Sequence, residues 1–196
     1  MFELRAPHAA PPGYAARIRE ELKPLIGIYP AGYGLVGTDN APLTVGTGIT
    51  LVPGRDGMVL DTTSTNTGLT RACAVTDHPL TLVFGGRCND SSGPSVYASL
   101  ATTADKLVRV YNHAGAISAQ HLGATTHALA STGSVVADGY FVSGVAVFAG
   151  PTDVRIYARG SAGQSRAATT TNVGALGALN KASFGVYDGS GKLYPF

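Results

Sequence analysis

Residues 139–160, GYFVSGVAVFAGPTDVRIYARG, contain two short apolar stretches separated by a turn signal. In residues 141–148 the even-numbered and odd-numbered side chains point to opposite faces of a strand, and both sets are largely apolar. Residues 150–153 read Gly-Pro-Thr-Asp, in which proline presets φ and aspartate can hydrogen-bond to its own backbone. In the second stretch Val154, Ile156 and Ala158 alternate with more polar side chains. The segment therefore predicts a β-hairpin with one solvated side.

The chain after residue 34 continues this alternation of short apolar runs and turns. Turn signals that include PGRDG, SSGP, HAG, STGS and DGSGK separate the candidate strands. The candidate strands span residues 49–52, 58–61, 80–84, 95–100, 107–111, 116–122, 141–148, 154–158 and 182–187. Residues 162–179 are low in complexity and predict a long loop, with room for one poorly patterned strand. Many short strands without alternating helices predict an all-β fold, an antiparallel β-sandwich of the jelly-roll type.

The first 34 residues have a different character and are predicted to form an N-terminal arm, with the β domain spanning residues 35–196. Within residues 12–25, PGYAARIREELKPL, the apolar residues Tyr14, Ile18, Leu22 and Leu25 recur at helical spacing. Pro24 is expected to end this helix. The arm is therefore predicted to contain one short helix.

Charge and hydropathy exclude two classes of partner. The formal net charge is +2, and charged residues make up 13% of the chain, against about a quarter in ordinary domains. Nucleic-acid binding needs a concentrated basic face. No apolar run approaches the about 20 residues that cross a bilayer as a helix, and the chain begins without the apolar core of a signal peptide. We therefore expect a protein made in the cytoplasm that binds neither nucleic acid nor membrane and packs against other proteins.

Cys73 and Cys88 are the two cysteines of the chain. In a reducing compartment two buried or half-buried thiols are favoured. A disulfide between neighbouring strands is the alternative.

The order of the β segments resembles the concanavalin A-like lectin/glucanase superfamily in its LamG-like form. The stretches that carry the resemblance are GYFVSGVAVFAG, DVRIYARG and NKASFGVYDGSG, preceded by ITLVPGRDGMVLDTTSTNTGLT and HPLTLVFGGRCN. Arg159 stands where the family usually has Asp or Asn before the turn glycine. The polar contact of that loop in the family is therefore not carried over to this chain. Relatives commonly continue beyond the equivalent of Phe196 into another strand. The resemblance thus implies a sandwich with an open edge that the arm or a partner chain would cover.

Hydrolases of this superfamily carry carboxylates in a Glu-x-Asp-x-x-Glu pattern, because glycoside hydrolysis needs two carboxyl groups that flank the bond. The three glutamates of this chain, Glu3, Glu20 and Glu21, all lie in the arm. No candidate strand carries two acids on one face, and there is no Gly-x-Ser-x-Gly elbow. His121 and His127, six residues apart, match no zinc pattern. We therefore expect no enzymatic activity, no catalytic residue and no metal-ligand set.

Standalone LamG-like domains with an arm occur among tailed-bacteriophage virion proteins, so the resemblance implies a structural role. The hypothesis is a non-enzymatic protein that decorates or cements the capsid or belongs to the tail. It would be made in the host bacterial cytoplasm and located in the virion. Its expected partners are a major capsid protein, a tail protein or further copies of itself. The arm is expected to bury five apolar side chains against a neighbouring subunit: Phe2, Leu4, Ile18, Leu22 and Leu25.

The alternative function is a carbohydrate-binding, lectin-like module that attaches to host-surface glycans. Sugar sites combine aromatic rings with a few polar groups, and this chain has tyrosines but no tryptophan. The candidate glycan contacts are Tyr97, Tyr111, Tyr157 and Arg159. The role favoured for the tyrosines, which fall in or near candidate strands, is to fill or flank the core.

No cofactor is expected, and calcium is the alternative. Asn89, Asp90 and Asp188 lie in predicted turns and carry the hard oxygen ligands that calcium prefers. Aspartate and asparagine are also common turn formers for purely local reasons, and this structural role is favoured.

Overall fold

The computed structural model describes most of the β domain. The described residues are 44–45, 50–54, 57–61, 69–88, 95–102, 107–123 and 126–184. The predicted arm with its helix lies outside them, as do Asn89, Asp90 and Asp188. Within the described residues there is no helix, and hence none long and apolar enough to cross a membrane.

Antiparallel strands account for most of the described residues. The strands are β1 (Thr44–Val45), β2 (Thr50–Gly54), β3 (Gly57–Asp61), β4 (Leu69–Val75), β5 (Leu80–Cys88), β6 (Ser95–Ala101), β7 (Leu107–His113), β8 (Ala116–Leu122), β9 (His127–Ser134), β10 (Tyr140–Gly150), β11 (Asp153–Gly160), β12 (Gly163–Thr169) and β13 (Leu179–Phe184). A seven-stranded sheet has the order β1-β4-β13-β6-β7-β8-β9, and a four-stranded sheet has the order β12-β11-β10-β5. Strands β2 and β3 pair separately.

Strands β10 and β11 form the hairpin that residues 139–160 predict. Val145 lies opposite Tyr157, and the register shifts between Phe148 and Gly150 as the chain enters the turn. Strand β5 pairs with the other side of β10, and β12 pairs with the other side of β11. The hairpin is therefore the centre of the four-stranded sheet.

The two sheets pack face to face. Phe148 of β10 and Ile156 of β11 are both 0% exposed and point toward the seven-stranded sheet. They join Val108 and Val110 of β7 and Ile117 of β8, also 0% exposed, in one hydrophobic core. A core shared by the inner faces of two antiparallel sheets is the β-sandwich that the sequence predicts.

One contact across the sandwich depends on a glycine. Phe84 of β5 lies opposite Gly144 of β10, and a Cβ at position 144 would come within 2.6 Å of Cζ of Phe84. The same Cβ would also overlap the carbonyl oxygen of Tyr157. Glycine therefore leaves room for the Phe84 ring, which packs on Tyr97 of β6 with the ring centroids 5.3 Å apart.

All nine candidate strands overlap observed strands, but the sequence does not predict β1, β4 or β9. The predicted STGS turn at residues 131–134 is wrong, because these residues lie in β9. Ala128, Ala130 and Thr132 are the buried side chains of β9, and such small side chains give a weak apolar signal. The loop predicted over residues 162–179 contains β12, and only its remainder is irregular.

Candidate binding face of the four-stranded sheet

The side chains of the four-stranded sheet that point away from the core form a surface that we call the outer face. Its described members on β5 and β10 are Thr81, Val83, Gly85, Phe141, Ser143, Val145 and Val147. Its described members on β11 and β12 are Asp153, Arg155, Tyr157, Arg159, Gln164, Arg166 and Ala168. The register places Val83, Val145, Tyr157 and Arg166 in one row across the four strands.

Large apolar side chains are exposed on the outer face. Val83 is 75% exposed, Phe141 is 62% exposed and Tyr157 is 42% exposed. Val145 is half-buried between Val83 and Tyr157. A contiguous apolar patch that stays exposed on a folded domain commonly marks a binding surface.

The Phe141 side chain leans over β5. A Cβ at Gly85 would lie 3.1 Å from Cζ of Phe141. The ring therefore covers β5 at Gly85, which has no side chain of its own. An aromatic side chain placed over a glycine in this way stabilises a sheet by shielding its backbone. The rest of the ring faces solvent.

The half of the outer face formed by β11 and β12 is basic. Nε of Arg155 donates to Oδ1 of Asp153 at 2.8 Å, and Nη2 donates to Oδ2. The hydrogen bond and then the charge of Asp153 raise the pKa of Arg155. Arg159 and Arg166 are exposed and have no ion-pair partner among the described residues. Asp153 is the one acidic residue in the described part of this face.

The outer face of the seven-stranded sheet has a different character. Ser99 and Ser183 lie side by side and are 3% and 1% exposed. Nε of Arg109 donates to Oε1 of Gln120 at 2.7 Å, and the Arg109 guanidinium lies 4.6 Å from the centre of the Tyr111 ring. The polar groups of this face are therefore buried or held by one another.

The structure separates the four predicted glycan contacts. Tyr157 and Arg159 lie on the same exposed face of β11, whereas Tyr111 lies on the other sheet beneath Arg109. Tyr97 is 4% exposed in the core. The register of β6 shifts between Val96 and Ala98, and such a bulge turns the intervening side chain inward. Tyr97 is therefore excluded as a surface contact.

The residues predicted to anchor the arm on a neighbour remain a prediction. They are Phe2, Leu4, Ile18, Leu22 and Leu25, and all five lie outside the described residues.

Two histidines that the sequence separates by 43 positions meet inside the sandwich. The His78 and His121 rings have centroids 5.3 Å apart, and the His121 and Phe148 rings form a T-shaped pair with centroids 6.4 Å apart. His127 does not join them, because it is exposed while His121 is 1% exposed. The described residues contain no group of three histidine, cysteine or acidic side chains that could hold a metal ion.

Cys73 is a free thiol in β4, in agreement with the favoured prediction for this residue. Its Sγ donates to the carbonyl oxygen of Leu179 at 3.6 Å. Burial raises the pKa of the Cys73 thiol, and the nearby charge of Arg71 opposes this shift to a lesser degree.

The sequence and the structure were compared with known proteins. No family model matches the sequence, and no curated protein matches it. A solved structure of the mouse laminin alpha1 chain, domains LG4-5, is similar with a TM-score of 0.46 and 10% sequence identity. The likeness covers 78% of this chain, which spans 38% of the laminin structure.

Proposed function

We propose that the protein is a non-enzymatic structural component of a tailed-phage virion that acts by docking the outer face of the four-stranded sheet on another virion protein. The observation that carries this proposal is the exposed apolar patch centred on Val83 and Phe141, which are 75% and 62% exposed. In the free protein these side chains face water, although burying them would be favourable by about 25 cal/mol for each Å² removed from solvent.

The shape of the patch also favours a protein partner. Val83, Val145 and Tyr157 form a row across three strands, and the surrounding strands belong to a sandwich with its own core. A rigid sheet face can bind without reorganising its backbone, which reduces the entropy lost on association.

The virion setting and the non-enzymatic role rest on the sequence. The setting comes from the resemblance to LamG-like phage proteins. The chain has three glutamates, and all of them lie within the first 21 residues, so the β domain has no glutamate for acid–base chemistry. The expected partners are a major capsid protein or a tail protein.

Particle incorporation tests the proposal. Infectious particles purified on a density gradient are blotted for this chain, and heads and tails are then separated to locate it. We expect the wild-type chain to sediment with particles and the double variant Val83→Ser/Phe141→Ser to be lost from them. The matched control is Leu129→Ser, which changes a side chain that is 42% exposed on the other sheet and should be incorporated normally. Purified particles that lack the wild-type chain, or that retain the double variant, contradict the proposal.

A glycan-binding module is the second candidate function. It is favoured by the position of Tyr157, which lies between Arg155 and Arg159 along β11 and opposite Arg166 of β12. Isothermal titration calorimetry, with host polysaccharide added to the protein, distinguishes the two functions. Saturable binding that Tyr157→Ala abolishes would support the glycan module, whereas the structural role predicts no saturable binding.

A further inference from the structure

The outer face is divided into an apolar half and a basic half. On this face the large exposed side chains of β5 and β10 are Val83 and Phe141. Strands β11 and β12 instead contribute Arg155, Arg159 and Arg166. The boundary between the halves runs along the contact between β10 and β11.

Two of the three arginines carry charge that the described residues leave unbalanced. Arg155 is held by Asp153. Arg159 lies opposite Gln164, and Arg166 lies two residues further along β12, so the two arginines are diagonal neighbours about 7–8 Å apart, with a somewhat shorter separation between their Cβ atoms. Such a pair can bind two carboxylates side by side, since each guanidinium forms a two-pronged hydrogen-bonded pair with a carboxylate.

A second copy of this chain cannot balance that charge with the same face. The described part of the face offers Asp153 alone, and Arg155 already occupies it. A full face-to-face contact between two copies would remove Arg159 and Arg166 from water without a carboxylate partner, which is strongly unfavourable. An occupant that covers the whole face must therefore supply carboxylates of its own.

The apolar half favours a protein over a sugar polymer. Val83, Val145 and Val147 present methyl groups with no hydrogen-bonding atom, whereas sugar sites surround an aromatic ring with placed polar groups. Aliphatic and aromatic side chains at the centre with charges at the margin are the usual anatomy of a protein–protein interface.

We propose that the outer face of the four-stranded sheet docks an acidic protein surface, with apolar side chains of the partner over Val83 and Phe141 and its carboxylates opposite Arg159 and Arg166. This inference rests on the proposed function, since it specifies the partner of the same face. It also assigns the two halves different roles. The apolar half supplies most of the affinity, and the arginine pair selects the partner and sets its orientation.

Two synthetic peptides test the proposal with the full-length protein. One is amphipathic with leucines on one face and glutamates along one flank, and the other has every glutamate replaced by lysine. Binding is followed by NMR titration of the labelled protein. We expect the acidic peptide to shift the amide resonances of β10 and β11 and the basic peptide to bind at least about tenfold more weakly.

Three variants separate the contributions. The Arg159→Gln/Arg166→Gln variant should weaken the acidic peptide about tenfold and leave the basic peptide unaffected or slightly tighter. The Val83→Ser/Phe141→Ser variant should weaken both peptides. The control Ala74→Glu/Asn180→Glu changes the net charge by the same two units at exposed positions of the other sheet and should leave binding unchanged.

Each contrary outcome overturns a definite part of the account. The acidic partner is overturned if the two peptides bind with equal affinity, or if Ala74→Glu/Asn180→Glu weakens binding of the acidic peptide as much as Arg159→Gln/Arg166→Gln does. The outer face remains a docking face in either case if Val83→Ser/Phe141→Ser still weakens binding. If the acidic peptide does not bind saturably, the acidic partner is also overturned. The particle-incorporation experiment then tests the proposed function independently. A dimer in light scattering that Phe141→Ser abolishes would show that a second copy is the occupant. Tighter binding of polygalacturonate at the same amides would show that the occupant is a sugar polymer.

Discussion

Replacing Phe148 by alanine and, separately, Phe141 by alanine compares the two faces of a single strand. Phe148 is 0% exposed, whereas Phe141 is 62% exposed. Removing a fully buried phenylalanine side chain costs about 3–5 kcal/mol of unfolding free energy, because transfer energy is lost and a cavity remains. About two-fifths of Phe141 is covered, so the about 1.5–3 kcal/mol for full burial scales to a loss of about 1 kcal/mol.

Urea denaturation followed by far-ultraviolet circular dichroism measures both losses. We expect Phe148→Ala to lower the midpoint several times more than Phe141→Ala, with similar slopes for both variants. The two substitutions share residue type and strand, so differences in β propensity largely cancel. Equal losses would refute the reasoning, because they would mean that the outer face is packed in the free protein. A Phe141→Ala variant more stable than the wild type would instead show that exposure of this ring is itself costly.

Two substitutions and one chemical modification test other parts of the structure. Gly144→Ala should destabilise the protein by about 1–3 kcal/mol, because its Cβ would overlap the Tyr157 carbonyl oxygen and the Phe84 ring; an unchanged Tm in calorimetry would contradict this close packing at Gly144. Arg155→Gln should leave the urea midpoint unchanged, because exposed ion pairs contribute little; a marked fall would contradict this. Since burial raises the pKa of Cys73, more of its thiol is protonated at a given pH. Iodoacetamide should therefore modify it more slowly than a cysteine in a short peptide at pH 8, and equal rates by mass spectrometry would contradict its burial.

The sequence predicts the strands whose apolar side chains are large and alternate. The β10–β11 hairpin is the clearest case, because Val154 and Ile156 alternate with Arg155 and Tyr157. In β11 that alternation also predicts which side chains are buried and which face solvent.

Strands with small side chains are harder to predict. Strand β9 buries Ala128, Ala130 and Thr132, and its Ser-Thr-Gly-Ser end has the composition of a turn. These residues form a strand because β8 pairs with them and the sandwich covers their inner face. Strand β8 directly precedes β9, but the strands that cover the inner face of β9 are β11 and β12, which lie further along the chain. The small side chains of β9 give no local sign of that cover.

The candidate site is predictable only in part for a related reason. Tyr157 and Arg159 follow from alternation along β11, but the contribution of Val83 depends on β5 pairing with β10. Arg166 becomes their neighbour only when β12 forms within the predicted loop. Tyr97 takes the core position favoured for the tyrosines and not the alternative role of a glycan contact, and a register shift lies at its position. Register between distant strands therefore assembles the face, and a single sequence does not encode that register locally.

A cryo-EM reconstruction of the purified particle tests the central claim most directly, because it shows which surface of the sandwich meets its neighbour. We expect Val83, Phe141 and Tyr157 to be buried against another virion protein, with carboxylates of that protein beside Arg159 and Arg166. A map in which the outer face of the four-stranded sheet faces solvent, while the chain is held through other surfaces, would contradict the account.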